Sequence, residues 1–422
     1  MPLDQSPPIS LEFPSVTTNL ADTSDTRGTT SWRRLPAVVW ALVLARAVNR
    51  LGALTLPFLA VVLVGSYDAS VATAGYLLAG FGLATIPSRL FGGRLSDRIG
   101  TRATILVGLV GTAAAQLGVA LAGSLVQAAV AVVLLGLAFE IYEPPSQAII
   151  ADVTLPEQRA VAFSLLGAAM AGAGMGAGLL AAALAGLDLR WLLVADAASC
   201  LACAAVVAAL LPGGRPAPPE QTDDPGRESA GVRPWSDRRL LLLLGTGTVF
   251  AVVYLQVTIA LPLTLTGRGL PASTLGLLLT LGAATMVLGQ PLLRLPHLRR
   301  LDDFRAMTLG YLVLAAGLLL TGLVTSRAGF AVATLLTALG DLVLLGRAYA
   351  VVVDVSPAHA RGRYLAVYGT SWGLAAIVAP LLGTQLLVHG GPVLTWTVVA
   401  ALCLVLAAAQ PAIRRRLLAP CA

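Results

Sequence analysis

Residues 104–122 read TILVGLVGTAAAQLGVALA, an apolar run without one charged side chain. Crossing the hydrocarbon core of a bilayer as a helix takes roughly 18–20 such residues. Lipid offers the backbone no hydrogen-bonding partner, so a run of this kind forms a helix or joins a closed barrel. Its Ala, Leu and Gly show no period-two alternation, which excludes the barrel. The stretch is a transmembrane helix, and its pattern recurs on both sides along the chain.

Spans are expected near 35–64, 71–91, 104–122, 126–150, 163–187 and 191–211, then near 239–266, 271–293, 306–325, 328–353, 364–388 and 392–411. Between the sets, residues 212–238 are rich in Pro, Gly and charge and read as a cytoplasmic linker. They would join an N-terminal bundle at 35–211 to a C-terminal bundle at 239–411. Residues 1–34 lack the basic start and short apolar core of a signal peptide and read as a disordered cytoplasmic tail. Residues 412–422 read as a second tail. The expected fold class is an all-α membrane protein of twelve transmembrane helices in two six-helix halves.

Composition agrees: 57% of the 422 residues are hydrophobic and 12% charged, against about 25% charged in soluble domains. All 28 basic residues are Arg, so Schiff-base chemistry is absent. They are dispersed among the spans, which argues against a nucleic-acid partner. Their distribution follows the positive-inside rule: 22 lie on the side of the two termini and only Arg190, Arg268 and Arg327 on the other. This predicts a multi-pass protein of the cytoplasmic membrane with both termini inside. Cys200 and Cys203 form a CxxC within an apolar helix and read as packing residues. His297, His359 and His389 fall in separate loops, so no metal site is expected.

The halves resemble one another. Asp152-Val-Thr-Leu-Pro156 follows span four as Asp354-Val-Ser-Pro357 follows span ten, and Gly75-Tyr-Leu-Leu matches Gly276-Leu-Leu-Leu. Leu56-Pro57-Phe58 and Leu261-Pro262-Leu263 occupy like places in spans one and seven. The nearly constant offset indicates an internal duplication, the architecture of alternating-access transporters with a substrate site between the halves.

Between spans two and three stands Gly93-Arg-Leu-Ser-Asp97-Arg98-Ile-Gly100-Thr101-Arg102. It resembles motif A of the major facilitator superfamily, with Thr101 where that family usually has a basic residue. In this reading Gly93 allows close helix approach and Gly100 a tight turn. The resemblance implies that Asp97 and Arg98 form a charge network with Asp152, closing the cytoplasmic side and stabilising the outward-open state. Within the superfamily the chain is similar to bacterial drug:proton antiporters. It departs from them in span four, where Val132 precedes Gly136, and in span five, where Gly172-Ala-Gly174-Met-Gly176-Ala-Gly178 lacks their Pro.

An intramembrane charge costs on the order of 2.5–3.5 kcal/mol even on the lenient scale, so each needs a reason. On a helical wheel Arg46, Asn49 and Arg50 share one face of span one, and Glu140, Glu143 and Gln147 fall within about 60° in span four. Asp341 aligns with Thr337 and Thr334 in span ten, and Arg347 sits away from that face. By the family resemblance, spans one, four, seven and ten line the central cavity. Glu140 or Glu143 is the expected proton carrier, with Arg46 or Arg50 tuning its affinity; a permanent Arg–Glu pair that only holds the bundle is the alternative. Tyr254 and Thr258 of span seven, with Tyr368 and Trp372 of span eleven, form an aromatic, weakly polar wall suited to a lipophilic substrate. Interfacial anchoring is the alternative role for these aromatics.

The expected function is proton-coupled export of a small lipophilic compound by a monomer embedded in the lipid bilayer. Uptake of a small metabolite, with the paired Arg of span one suited to an anionic one, is the competing reading, and a non-transporting membrane sensor a third. No catalytic set, nucleotide loop or cofactor motif appears, so the chain reads as a non-enzyme driven by a proton gradient.

Overall fold

The computed structural model describes residues 35–154, 156–211, 234–357 and 360–418. Residues 1–34 and 419–422, most of the 212–238 linker, and the side chains of Gln147 and Asp152 lie outside the described residues, whereas 412–418 of the expected second tail continue the last helix. Among those described, all regular structure is helical. The N-terminal half comprises α1 (Ala37–Leu51), α2 (Thr55–Tyr67), α3 (Val71–Ile99), α4 (Thr101–Leu121), α5 (Leu125–Phe139), α6 (Glu143–Val153), α7 (Pro156–Leu184) and α8 (Arg190–Leu210). The C-terminal half comprises α9 (Arg238–Gly267), α10 (Ala272–Leu288), α11 (Asp303–Leu323), α12 (Arg327–Val355) and α13 (Arg361–Leu418).

α13 holds two spans. Gly391 takes φ 68°, which glycine adopts without a Cβ clash, and the chain folds back, so that Tyr368 and Ile413 line one internal pocket. With α10 as a shorter apolar helix beside the long spans, the twelve expected crossings are all present.

Spans one and four depart from the expected continuous helices. Span one breaks at Gly52–Leu54, where Gly52 disfavours helix and Pro57 demands a place in the first turn of a new one. Span four breaks at Glu140–Tyr142 because the pair Pro144–Pro145 can stand only at the start of α6. The helical-wheel alignment of Glu140 with Glu143 and Gln147 therefore does not hold, since the break lies between the two acids. Span seven, by contrast, carries Pro262 inside continuous α9.

The halves meet through three seams: α3 on α13, α7 on α10, and α2 on α9. The first two pair the second span of one half with the fifth of the other, as the duplication requires. Their backbones touch through glycine: a Cβ on Gly178 would lie 2.6 Å from the Gly276 carbonyl. Thr280 donates to the Met175 carbonyl at 3.2 Å and Gln385 to the Tyr76 hydroxyl at 3.2 Å in the same seams. All these contacts lie toward the end of the bundle away from the termini. Toward the termini, Gly93, Gly172, Gly369 and Gly373 of the same helices face open space. The cleft between the halves opens on the terminal side.

Candidate functional site

The two broken spans cross inside the N-terminal half, and the polar residues collect at the breaks. Arg46 of α1 places Nη2 2.6 Å from Glu143 Oε2 at the start of α6, with side-chain exposures of 11% and 25%. Its guanidinium also sits over the Tyr142 ring, 5.1 Å from the centroid. Tyr142 donates to Asn49 Oδ1 at 3.2 Å, and Asn49 Nδ2 donates to Cys200 Sγ at 3.2 Å. Asp196 of α8 then accepts the backbone N–H groups of Leu54 and Thr55. A continuous polar path thus runs from Glu143 to the break in span one. Arg46 Nη1 is buried without a hydrogen-bond partner.

The two candidate acids of span four have different surroundings. Glu143 holds Arg46, whereas Glu140 ends α5 on the side of α3, where Ser88 Oγ accepts its backbone N–H at 3.1 Å. Arg89 of α3 and Arg46 both lie within electrostatic reach of Glu140. No ion pair of Glu140 is found among the described residues. The two basic residues of span one also separate. Arg46 is paired, while Arg50 is exposed, runs beside Gly174 of α7, and lies within electrostatic reach of Tyr254 across the cleft.

On the C-terminal side, Tyr254 of α9 meets Trp372 of α13 edge to face, with ring centroids 5.2 Å apart. Phe250 completes the group at 6.3 Å from Tyr254 and 6.5 Å from Trp372. Thr258 lies one turn further along α9, half-buried. Asp341 is buried on α12 near Tyr254 and Tyr311, and its Oδ1 has no hydrogen-bond partner. Tyr368 lies instead inside the C-terminal half, against Gly247 and edge to face with Tyr349 at 5.3 Å. Arg347 reaches Asp303 of α11 at 2.8 Å, which accounts for its turn away from Asp341.

The turn motif is folded as its spacing requires at one glycine and not at the other. Gly100 takes φ 88° and joins α3 directly to α4. Gly93 faces open space; its neighbour Gly92 makes the close approach, where a Cβ would lie 2.5 Å from the Ile141 carbonyl. Asp97 and Arg98 are exposed, and Arg102 donates within its own half to the Ala208 carbonyl near the end of α8. Thr101 receives a hydrogen bond from Ser96 Oγ at 3.4 Å.

Sequence reasoning passes over Asp196, Gln116 and Gln256. Gln116 donates to Thr55 Oγ1 at 3.1 Å and Gln256 to the Ala379 carbonyl at 3.0 Å, tying α4 to α2 and α9 to α13. The signal available was an ionisable or amide side chain inside an apolar run. Two of the three Arg on the far side also have structural partners. Arg190 stacks on Tyr67 and donates to the Ser66 carbonyl at 3.3 Å. Arg268 donates to the carbonyls of Thr321, Gly322 and Val324 at the end of α11 and stacks on Phe330. Its burial lowers the proton affinity of its guanidinium.

Comparison with known proteins fits this architecture. The profile described as Major Facilitator Superfamily matches residues 42–335 and 269–416. The chain is 27% identical over 371 residues to the uncharacterized MFS-type transporter YhjO of Bacillus subtilis (strain 168), covering 84% of this chain and 87% of that one. It is 28% identical over 278 residues to the multidrug resistance protein MdtH of Klebsiella pneumoniae (strain 342), covering 65% and 68%. Among solved structures, a bacterial homolog of the human lysosomal transporter Spinster superposes with a TM-score of 0.68 at 17% identity, covering 90% of this chain and 96% of that one.

Proposed function

Since this chain belongs to the Major Facilitator Superfamily and is a membrane transporter, we propose that it exports small lipophilic compounds by alternating access, driven by protons. The observation that carries the reading is the Arg46–Glu143 pair at the crossing of the two broken spans. A proton on Glu143 neutralises the anion that holds Arg46 and frees a guanidinium whose Nη1 already lacks a partner. Deprotonation restores the pair. Rearrangement at the crossing is then tied to proton binding. Glu140, without an ion pair among the described residues, and Asp341, with its unpartnered Oδ1, are the further acids that can take part.

The substrate would sit in the cleft against Phe250, Tyr254 and Trp372, whose ring edges and faces suit an apolar or aromatic molecule. The similarity to multidrug resistance proteins supports that class. The positive-inside distribution of Arg supports cytoplasmic termini in a bacterial inner membrane, with the cleft open to the cytoplasm.

Arg50 favours a second reading. It is exposed at the cleft with no ion pair among the described residues, which suits a small anionic metabolite taken up with protons. Ethidium efflux from an efflux-deficient bacterial host separates the two. Protonophore-sensitive efflux that Glu143→Gln or Glu140→Gln removes, at equal membrane expression, supports export; no efflux, together with proton-dependent uptake of a carboxylate, supports the second reading.

A further inference from the structure

The break in span one is deeply buried: Leu54 and Thr55 are each 1% exposed and Asp196 4%. A broken helix in hydrocarbon leaves N–H groups on one side and carbonyls on the other without partners, so they must be satisfied by neighbours. Leu54, at the head of α2, supplies no side-chain cap of its own. Helix α8 supplies both kinds of partner from one face. Asp196 Oδ2 accepts from Leu54 N at 3.2 Å and Thr55 N at 2.9 Å. One turn on, Ser199 Oγ donates to the Asn49 carbonyl at the end of α1 at 3.3 Å, and Cys200 Sγ accepts from Asn49 Nδ2. Gly52 lies directly on Ser199, leaving no room for a Cβ.

The two sides of the break have different partners. α1 packs on α6, α7 and α8 of its own half, whereas α2 also packs on α9 of the other half. Leu54 and Phe58 share a core with Leu261 and Leu265 of α9. Parting the halves at the far end therefore requires α2 to leave α9. We propose that Gly52–Leu54 is the hinge of that movement and that Asp196 is its positioning residue, holding α2 in the orientation that seals the far end. The counterpart of Gly52, counted from the matched prolines, is Val257 within unbroken α9, so the hinge is one-sided. The inference rests on the transporter reading alone and on no particular substrate or ion.

Spin labels at Leu187→Cys and Val388→Cys, exposed positions at the far end of opposite halves, report the closure without any substrate. Cys421→Ser is included, and the remaining three cysteines are buried. Asp196→Ala should add a longer distance component, with the closed-to-open ratio falling about fivefold, as loss of a helix cap commands. Asp196→Asn retains an acceptor oxygen and should keep the parent distribution. If Asp196→Ala cannot be purified, Ser199→Ala, which removes the hydroxyl shared between the Asn49 and Asp196 carbonyls, should shift the distances the same way by less. An unchanged distribution in Asp196→Ala, or in Ser199→Ala where that is the variant measured, overturns the hinge, and so does an equal shift in Asp196→Asn. Absence of ethidium transport in every variant, with the distances behaving as described, leaves the hinge standing and counts only against the export reading.

Discussion

Arg46 and Glu143 meet at 2.6 Å where two interrupted spans cross, whereas Glu140, three residues earlier, turns toward α3. The break at Glu140–Tyr142 separates two acids that a continuous helix would have put on one face. If the pair is a switch, its partners differ in what their loss does. Arg46→Ala removes the 2.6 Å ion-pair contact to the partly buried Glu143 carboxylate and should destabilise the protein by about 2 kcal/mol, the usual loss for one charge-assisted hydrogen bond. Adding Glu143→Gln should recover part of that loss. Thermal unfolding of the single and double variants in detergent measures the coupling.

Trp372→Ala removes the edge-to-face partner of Tyr254 and opens the aromatic wall of the cleft. Ethidium affinity should weaken about fivefold, corresponding to ~1 kcal/mol for one aromatic contact. Tyr368→Phe should leave affinity unchanged, because Tyr368 packs inside the C-terminal half. Fluorescence binding titrations check both.

Gly178→Leu puts a side chain into the seam where α7 touches α10, against the Gly276 carbonyl and Thr280. Transport should be lost at normal membrane expression because the far end cannot close. Gly172→Leu, on the same helix but facing open space, should retain transport. Initial efflux rates compare the pair.

Arg268→Lys keeps the charge but gives up the planar fork that serves three carbonyls at the end of α11 and stacks on Phe330. A loss of about 1 kcal/mol is expected, visible as a lowered unfolding midpoint. Arg327→Lys serves as the exposed control.

Much of the fold is legible in the sequence because lipid leaves so few options. Apolar run length, Arg asymmetry and the repeated Leu-Pro pairs each bear on the twelve spans, and Gly100 states its turn through its spacing. The breaks are harder to read. Pro57 and Pro262 look alike in sequence, yet only the former follows a glycine by five residues and interrupts its span. Pro144 and Pro145 foretell the second break, but their effect on Glu140 depends on where α5 stops, which helical periodicity does not reveal. Arg46 and Glu143 share a reading as intramembrane charges, and their contact required two helices to cross. Asp196 was hidden for the opposite reason. It stands alone in an apolar run, and its partners are backbone N–H groups 141 and 142 residues away, which carry no side-chain signature.

The coupling reading is tested most directly by proton movement in proteoliposomes containing the purified protein and an internal pH indicator. An ethidium gradient imposed across the membrane should drive protons in the opposite direction in the parent protein. Glu143→Gln should still move ethidium down its gradient while proton movement falls to the level of empty vesicles. Undiminished proton movement per ethidium in both Glu143→Gln and Glu140→Gln would contradict the account and leave the Arg46–Glu143 pair as a structural tie between two broken helices.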